Sequence, residues 1–469
     1  MNTATVQPPA SRAAAGNPLL RVAAGVIRAL RLALPKIGVG WMFALLTVNF
    51  NRVTIKELGV AAVLITIMTG MHNFLSPFQV VFGRFADRHP FLGMRRTPML
   101  LASTVVTSVV FLALPRLGVA MGQGSLLAVL AGFGLLIIFG IGIAVHGDAH
   151  HSLIAEVTDE RSRGGVISVV WTFLIMSTIA SAITIKVVMP TYTLESMQQL
   201  YNLTPLIVIG SALLGLLGVE RRLKGAELAE ATRRSREMTP PGNPLRVALA
   251  LVREQPQVRT FFMFVFLSIL GVFIQDAILE VFGGEVFNMT PGETASFTST
   301  WGGGVLASMI LVGVLSGIFP IGKKLLAGAG ALGTALGLVV LTLAAVSHQR
   351  ALITPALIVM GISTGAYNVG ALSMMMEMTF AGATGMYMGL WGVAQAFGMG
   401  FASIISGGLH SLLIETGLLS APLGYTAIFG LEALVMLVAV GMLRAVSVAA
   451  FHGLTHEDIV RSMEATATA

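Results

Sequence analysis

Apolar runs of about twenty residues recur along nearly the whole chain, and this recurrence limits what it can fold into. A helix rises about 1.5 Å per residue, so roughly 20 residues cross the ~30 Å of hydrocarbon in a bilayer. Backbone amides in lipid find no water, and a helix satisfies each of them within its own segment. The chain is therefore read as an all-α polytopic membrane protein, not as a string of soluble domains. Its composition agrees: of 469 residues only 11% are charged, and the 53 glycines suit close helix packing better than they suit loops.

Twelve spans are expected near 38–57, 60–82, 97–117, 130–155, 166–188, 204–219, 260–281, 302–321, 325–346, 354–376, 385–409 and 424–446. An even number puts both termini on one side. If that side is cytoplasmic, 24 of the 29 Lys and Arg residues fall inside. The other five, Arg52, Lys56, Arg116, Lys186 and Arg350, sit at or near the outer ends of spans. The expected location is a bacterial inner membrane, multi-pass, with both termini cytoplasmic. No cleavable signal is expected, because the arginines before Ile37 do not precede a short apolar region with a small-residue cleavage site. Without cysteine there are no disulfides, thiolate metal sites or cysteine nucleophiles, and the net charge of +7 follows topology and does not call for nucleic acid.

The chain is divided as a cytoplasmic segment 1–36, a six-span half 37–220, a linker 221–258, a second half 259–446 and a tail 447–469. The first segment carries Arg21, Arg28 and Arg31 at helical spacing among apolar residues, the pattern of an amphipathic helix on the inner leaflet. An internal repeat supports the division. Asn17-Pro18-Leu19 before Arg21-Val22 recurs as Asn243-Pro244-Leu245 before Arg246-Val247. RVTIKE (Arg52 to Glu57) matches QDAILE (Gln275 to Glu280) at an offset of 223, and Glu156, Thr158, Gly164 and Trp171 match Glu377, Thr379, Gly385 and Trp391 at about 221. Two six-span halves related by a parallel repeat are the architecture of the major facilitator fold, with a substrate path between the halves.

One polar stretch, GRFADRHPFLGMRRTP from Gly83 to Pro98, falls between spans 2 and 3. Gly83, Asp87, Arg88, Gly93, Arg95 and Arg96 resemble the loop 2/3 motif of major facilitator proteins. Gly83 would admit a close helix, Asp87 would cap or pair with a helix end, and the arginines would anchor the loop on an anionic leaflet. The segment FADRHPFLGMRRTP, with His89-Pro90 and Thr97-Pro98, is more specific still. With NRVTIKELG (Asn51 to Gly59) and QDAILEVFGGEVF (Gln275 to Phe287) it resembles the PucC/LhaA group, the bacteriochlorophyll-delivery branch of that superfamily, from about Lys36 to Arg444. Arg88 departs from the group, where a smaller or polar residue is expected. The resemblance implies an assembly factor in the intracytoplasmic photosynthetic membrane. Its implied partners are the light-harvesting α and β polypeptides, bacteriochlorophyll, the lipid bilayer, and a reaction centre or pigment-synthesis enzymes.

Ionisable groups inside spans are costly, about 3 kcal/mol each on insertion scales, and each is a functional candidate. The densest set is HGDAHH in span 4. His146 and His150 share a helix face, with Asp148 and His151 turned away from it. A neutral imidazole could bind axially to the magnesium of a chlorin, although interhelical hydrogen bonding is the plainer role. His72 in span 2 is a second candidate, also with a hydrogen-bonding role as the plainer one. A further polar set, Asn49, Asn51, Arg52 and Glu57 with Gln275, Asp276 and Glu280, lies at the outer ends of spans 1 and 7. Arg52 is expected to pair with Asp276 and close an outer gate.

An enzyme is not expected. A prenyltransferase would need Asp-rich magnesium and diphosphate clusters, and no D-x-x-D or D-x-x-x-D pair lies in or beside a span. No Walker loop or nucleotide fingerprint occurs either. The alternative to an assembly factor is a secondary transporter of a small solute or ion, with Asp148 or Glu377 as the central acid.

Overall fold

The computed structural model describes residues 18–75, 90–91, 93–227, 230, 233, 252–379 and 384–452. Within them the chain is helical almost throughout, with eleven helices long and apolar enough to cross a membrane and a shorter apolar one, Ala62–Leu75. That shorter helix is span 2, whose expected remainder to residue 82 lies outside the described residues. The other spans are Pro35 to Glu57 (1), Thr97–Gly122 (3), Leu126–Val157 (4), Glu160–Val188 (5), Leu194–Leu216 (6) and Pro256 to Phe287 (7). They continue as Pro291–Ile318 (8), Lys323–Ser347 (9), Ile353–Glu377 (10), Thr384 to Glu415 (11) and Ala421–Ala445 (12).

Spans 6 and 8 begin at Leu194 and Pro291, ahead of the expected starts at 204 and 302. Polar caps explain this. Thr193 and Ser196 form a reciprocal capping box, as do Thr290 and Glu293 beside Pro291 at the first helical turn, so each helix starts in polar sequence that hydropathy alone does not reveal.

The N-terminal helix Pro18–Ala33 runs almost directly into span 1, because Leu34 between them keeps helical angles. It packs on spans 5 and 6. Its arginines hold the carbonyl ends of other helices: Arg28 donates to the Val157 carbonyl at 3.3 Å and Arg31 to that of Leu217. Cations there complement the negative end of a helix dipole. Val22, Val26, Ile27 and Leu30 remain exposed.

Span 1 is then fastened to its own half. Trp41 Nε1 donates to Thr204 Oγ1 at 3.0 Å, Ser177 Oγ to the Ile37 carbonyl at 2.6 Å, and Tyr201 Oη to the Leu45 carbonyl at 3.0 Å. Gly40 permits the contact with span 5, since a Cβ there would lie 2.6 Å from the Leu174 carbonyl oxygen. Beyond Ala44 the span winds as π-helix over Leu45–Phe50 and again over Val53–Glu57. Span 7 is broken at the corresponding depth by a 3₁₀ turn, Gln275–Ala277.

The two ends of the bundle are tied differently. At the end bearing the connections 1/2, 5/6, 7/8 and 11/12, hydrogen bonds cross between the halves: Asn51 to Ala277, Arg52 to Met289, Ala62 to Glu415, Val63 to Ser411 and Gly292 to Pro190. At the end bearing the 6/7 linker, the polar ties among the described residues stay within one half. These are called the seam end and the linker end below.

Candidate functional site

The seam is built where regular winding fails. Arg52 is almost fully buried, yet its Nη1 lies 2.9 Å from Glu57 Oε1, and its Nη2 donates to the Met289 carbonyl at 2.8 Å. The expected pairing with Asp276 is therefore corrected to Glu57. The cause is local: a π-helix bonds residues five apart, so Val53–Glu57 stacks Glu57 under Arg52, which a 3.6-residue period would place well apart. The link to the other half goes to backbone. Asn51 Nδ2 likewise donates to the Ala277 carbonyl at 3.2 Å, in the 3₁₀ break of span 7. Asn49 Nδ2 turns to the Met189 sulfur within its own half.

The remaining members of the set gather around that break. Glu280 accepts from Thr298 Oγ1 at 2.8 Å. The Gln275 amide N–H donates to Glu432 Oε1 at 3.1 Å, and Glu432 is fully buried on span 12. Asp276 is half-buried between these two acids and within electrostatic reach of both.

Sequence reasoning missed Glu432 and a second group nearby. Glu285 Oε2 receives both Tyr425 Oη and His410 Nε2 at 2.9 Å, and His410 Nδ1 lies 3.3 Å from Glu415 Oε1. These residues are scattered over spans 7, 11 and 12, each a single polar group within apolar sequence. Such positions look like interfacial residues until the fold brings them together.

The histidines of span 4 lie elsewhere, against the N-terminal helix. His146 and His150 are both buried, while Asp148 is half-buried and His151 exposed. His150 Nε2 lies 2.7 Å from the Leu32 carbonyl, and His146 Nδ1 3.4 Å from Thr104 Oγ1. Lys36, also buried, is close enough to influence all three rings. His146 Nε2 and His150 Nδ1 are buried and make no hydrogen bond among the described residues, while His150 Nε2 fastens span 4 to the helix entering span 1.

His72 is placed differently. Its ring stacks on Phe43 at 5.1 Å and meets Phe139 edge-on at 5.9 Å. Nδ1 lies 2.8 Å from the Thr69 carbonyl, which can only accept, so the neutral ring carries its proton on Nδ1 and leaves a lone pair on Nε2. Among the described residues Nε2 makes no hydrogen bond.

At the linker end, Gly93, Arg95 and Arg96 are described, whereas Gly83, Asp87 and Arg88 lie outside the described residues. Gly93 takes a positive φ of 75°, and its carbonyl accepts from Leu223 at 2.8 Å. The Glu220 carboxylate caps the start of span 3, accepting the amides of Arg95 and Thr97 at 2.6 Å each and that of Arg96 at 3.1 Å. Both arginine side chains reach Glu156 at the end of span 4, at 3.1 and 3.0 Å.

Among families, the match is to the PUCC protein family over residues 49–451. The chain belongs to that family. Among its relatives, the Rhodobacter capsulatus protein named bacteriochlorophyll synthase 44.5 kDa chain is 30% identical over 426 residues, covering 89% of this chain and 95% of that one. Protein PucC of Rhodobacter capsulatus is 26% identical, covering 88% and 90%. Solved structures alike in fold include a POT family transporter in complex with 5-aminolevulinic acid, with a TM-score of 0.66 at 12% identity over 91% of this chain and 97% of that one. The inward-open Escherichia coli xylose transporter XylE gives a TM-score of 0.61 at 14% identity, covering 88% and 96%. The fold of this PucC-family chain is thus that of the major facilitator transporters.

Proposed function

We propose that this chain is a membrane assembly factor for light-harvesting antenna complexes, binding the α and β polypeptides and holding or delivering bacteriochlorophyll, and that it is not an enzyme. The linker end faces the cytoplasm of a photosynthetic inner membrane, as the distribution of Lys and Arg favours. What carries the proposal is family membership across residues 49–451, with relatives named for PucC and for a bacteriochlorophyll synthase chain.

His72 is the side chain best suited to hold the pigment. Bacteriochlorophyll would supply a magnesium able to take one axial nitrogen. The Thr69 carbonyl fixes the ring's tautomer, and Phe43 and Phe139 give the imidazole a rigid apolar frame. His150 acts in the same account as a fastener of the N-terminal helix, while His146 faces Thr104 of span 3. The test is purification in mild detergent from a phototrophic host, with antenna polypeptides and pigment assayed in the same fractions. Co-purification of both is expected, and a preparation free of both would overturn the proposal.

A secondary transporter is the second reading, favoured by hydrogen bonds that join the halves at the seam end while the described polar ties at the linker end stay within each half. Accumulation of a solute by vesicles carrying the purified chain alone would support it.

A further inference from the structure

We propose that His410, held between Glu285 and Glu415, is a proton-binding site that latches the two halves together at the seam end. The geometry concerns both ring nitrogens. Nε2 is hydrogen-bonded to Glu285 Oε2 at 2.9 Å, and Nδ1 lies 3.3 Å from Glu415 Oε1, within ion-pair distance but out of hydrogen-bond alignment. Carboxylate oxygens only accept, and a neutral imidazole carries a single N–H, so with a neutral ring one of these contacts sets lone pair against lone pair. Only the doubly protonated ring, carrying a positive charge, is attracted to both carboxylates at once.

The proton is one step away from the contact between halves. Glu415 Oε1 also accepts the amide of Ala62, the first helical residue of span 2, at 2.7 Å, and Ser411 Oγ accepts the amide of Val63 at 3.0 Å. Span 11 therefore caps span 2 with two side chains from its terminal π-helix turn, Ser411–Glu415. The His410 side chain is 1% exposed, whereas that of Glu415 is 31% exposed at the rim. When His410 loses its proton, Glu285 and Glu415 are left facing one another across a neutral ring. The rim carboxylate is the member free to turn to water, and in turning it drops its bond to Ala62.

The other charged and titratable groups facing this unit are few. Span 12 contributes Tyr425, which donates to Glu285 and meets the His410 ring edge-on at 5.7 Å. Span 1 contributes Arg52, within electrostatic reach of Glu285 and Tyr425 and paired with Glu57, which Tyr192 also faces. Arg52 has its own carboxylate and remains charged, leaving His410 as the group whose charge changes. Closure of the seam and binding of one proton are then linked, each favouring the other. The sign is fixed: the seam is closed at low pH and loosens as pH rises through the titration of His410. This inference does not depend on the pigment, because it holds for an assembly factor and for a transporter alike.

The natural absence of cysteine makes the test direct. Ala61→Cys and Thr416→Cys place spin labels on exposed positions on either side of the seam, and electron–electron distances are measured on the full chain in nanodiscs from mildly acidic to alkaline buffer. The short-distance population should fall several-fold as pH rises, and His410→Gln should abolish that response. Glu285→Gln provides an arm independent of that buried change: with one carboxylate neutralised, the midpoint should move to lower pH. A wild-type distance that does not change with pH, or variants that respond as the wild type does, would overturn the proposal.

Discussion

The two ends of this molecule use similar residues to opposite effect. At the linker end each half is tied to itself. The amino-terminal half sets Glu220 on the start of span 3 and Glu156 on Arg95 and Arg96. The carboxy-terminal half pairs Lys323 with Glu377 and sets Lys324 on the carbonyls of Arg444 and Val446, at 3.0 and 2.8 Å. At the seam end side chains reach across, and their targets are mostly backbone: the carbonyls of Ala277 and Met289 and the amides of Ala62 and Val63. Ties within a half make each half a rigid body. Ties to backbone at helix breaks make a contact that can part without stranding a partner charge.

The largest effect should follow loss of Arg52. Arg52→Ala removes a buried cation together with its bonds to Glu57 and Met289, and should cost about 3 kcal/mol, toward the lower end for a broken buried pair because Glu57 is partly solvated. A clear fall in the detergent melting temperature would register it, together with wider distances between labels across the seam. Arg52→Lys should recover part of the stability. An Arg52→Ala protein with normal melting would mean that the seam contributes little.

A smaller, local effect is expected from Glu220→Ala. Three amides at the start of span 3 lose their acceptor, at about 1–2 kcal/mol. Hydrogen exchange should quicken at residues 95–97 while seam distances stay unchanged. If the seam moved as well, the two ends would not be independent and the contrast between them would fail.

The smallest effect belongs to Lys323→Ala. Its pair with Glu377 is about half exposed, and such pairs contribute less than about 1 kcal/mol. A melting shift comparable to that of Arg52→Ala would make the carboxy-terminal half, not the seam, the region on which stability depends.

Much of this contrast could be read from the sequence, and the reasons for the rest are specific. The repeat aligned Glu156 with Glu377, and in the fold both pair with a basic residue at the start of the third span of their half. Hydropathy gave the spans because lipid imposes a period and a length on every crossing helix. The partner of Arg52 could not be read, because π-helical winding shifts which residues stack and leaves no mark in composition. The group formed by Glu285, His410, Glu415 and Tyr425 was also hidden: three separate spans supply it. His72 was a candidate in the sequence, but its tautomer, set by the Thr69 carbonyl, and its frame of Phe43 and Phe139 from two other helices could not be read there.

We propose that this PucC-family chain handles pigment, with His72 as the side chain that holds it. The most direct measurement is the absorption spectrum and extracted pigment of the protein purified from a phototrophic host, compared between wild type, His72→Ala and the double variant His146→Ala/His150→Ala. The account predicts near-stoichiometric bacteriochlorophyll in the wild type and the double variant, and its loss from His72→Ala. Pigment retained by His72→Ala and lost from the double variant would contradict it.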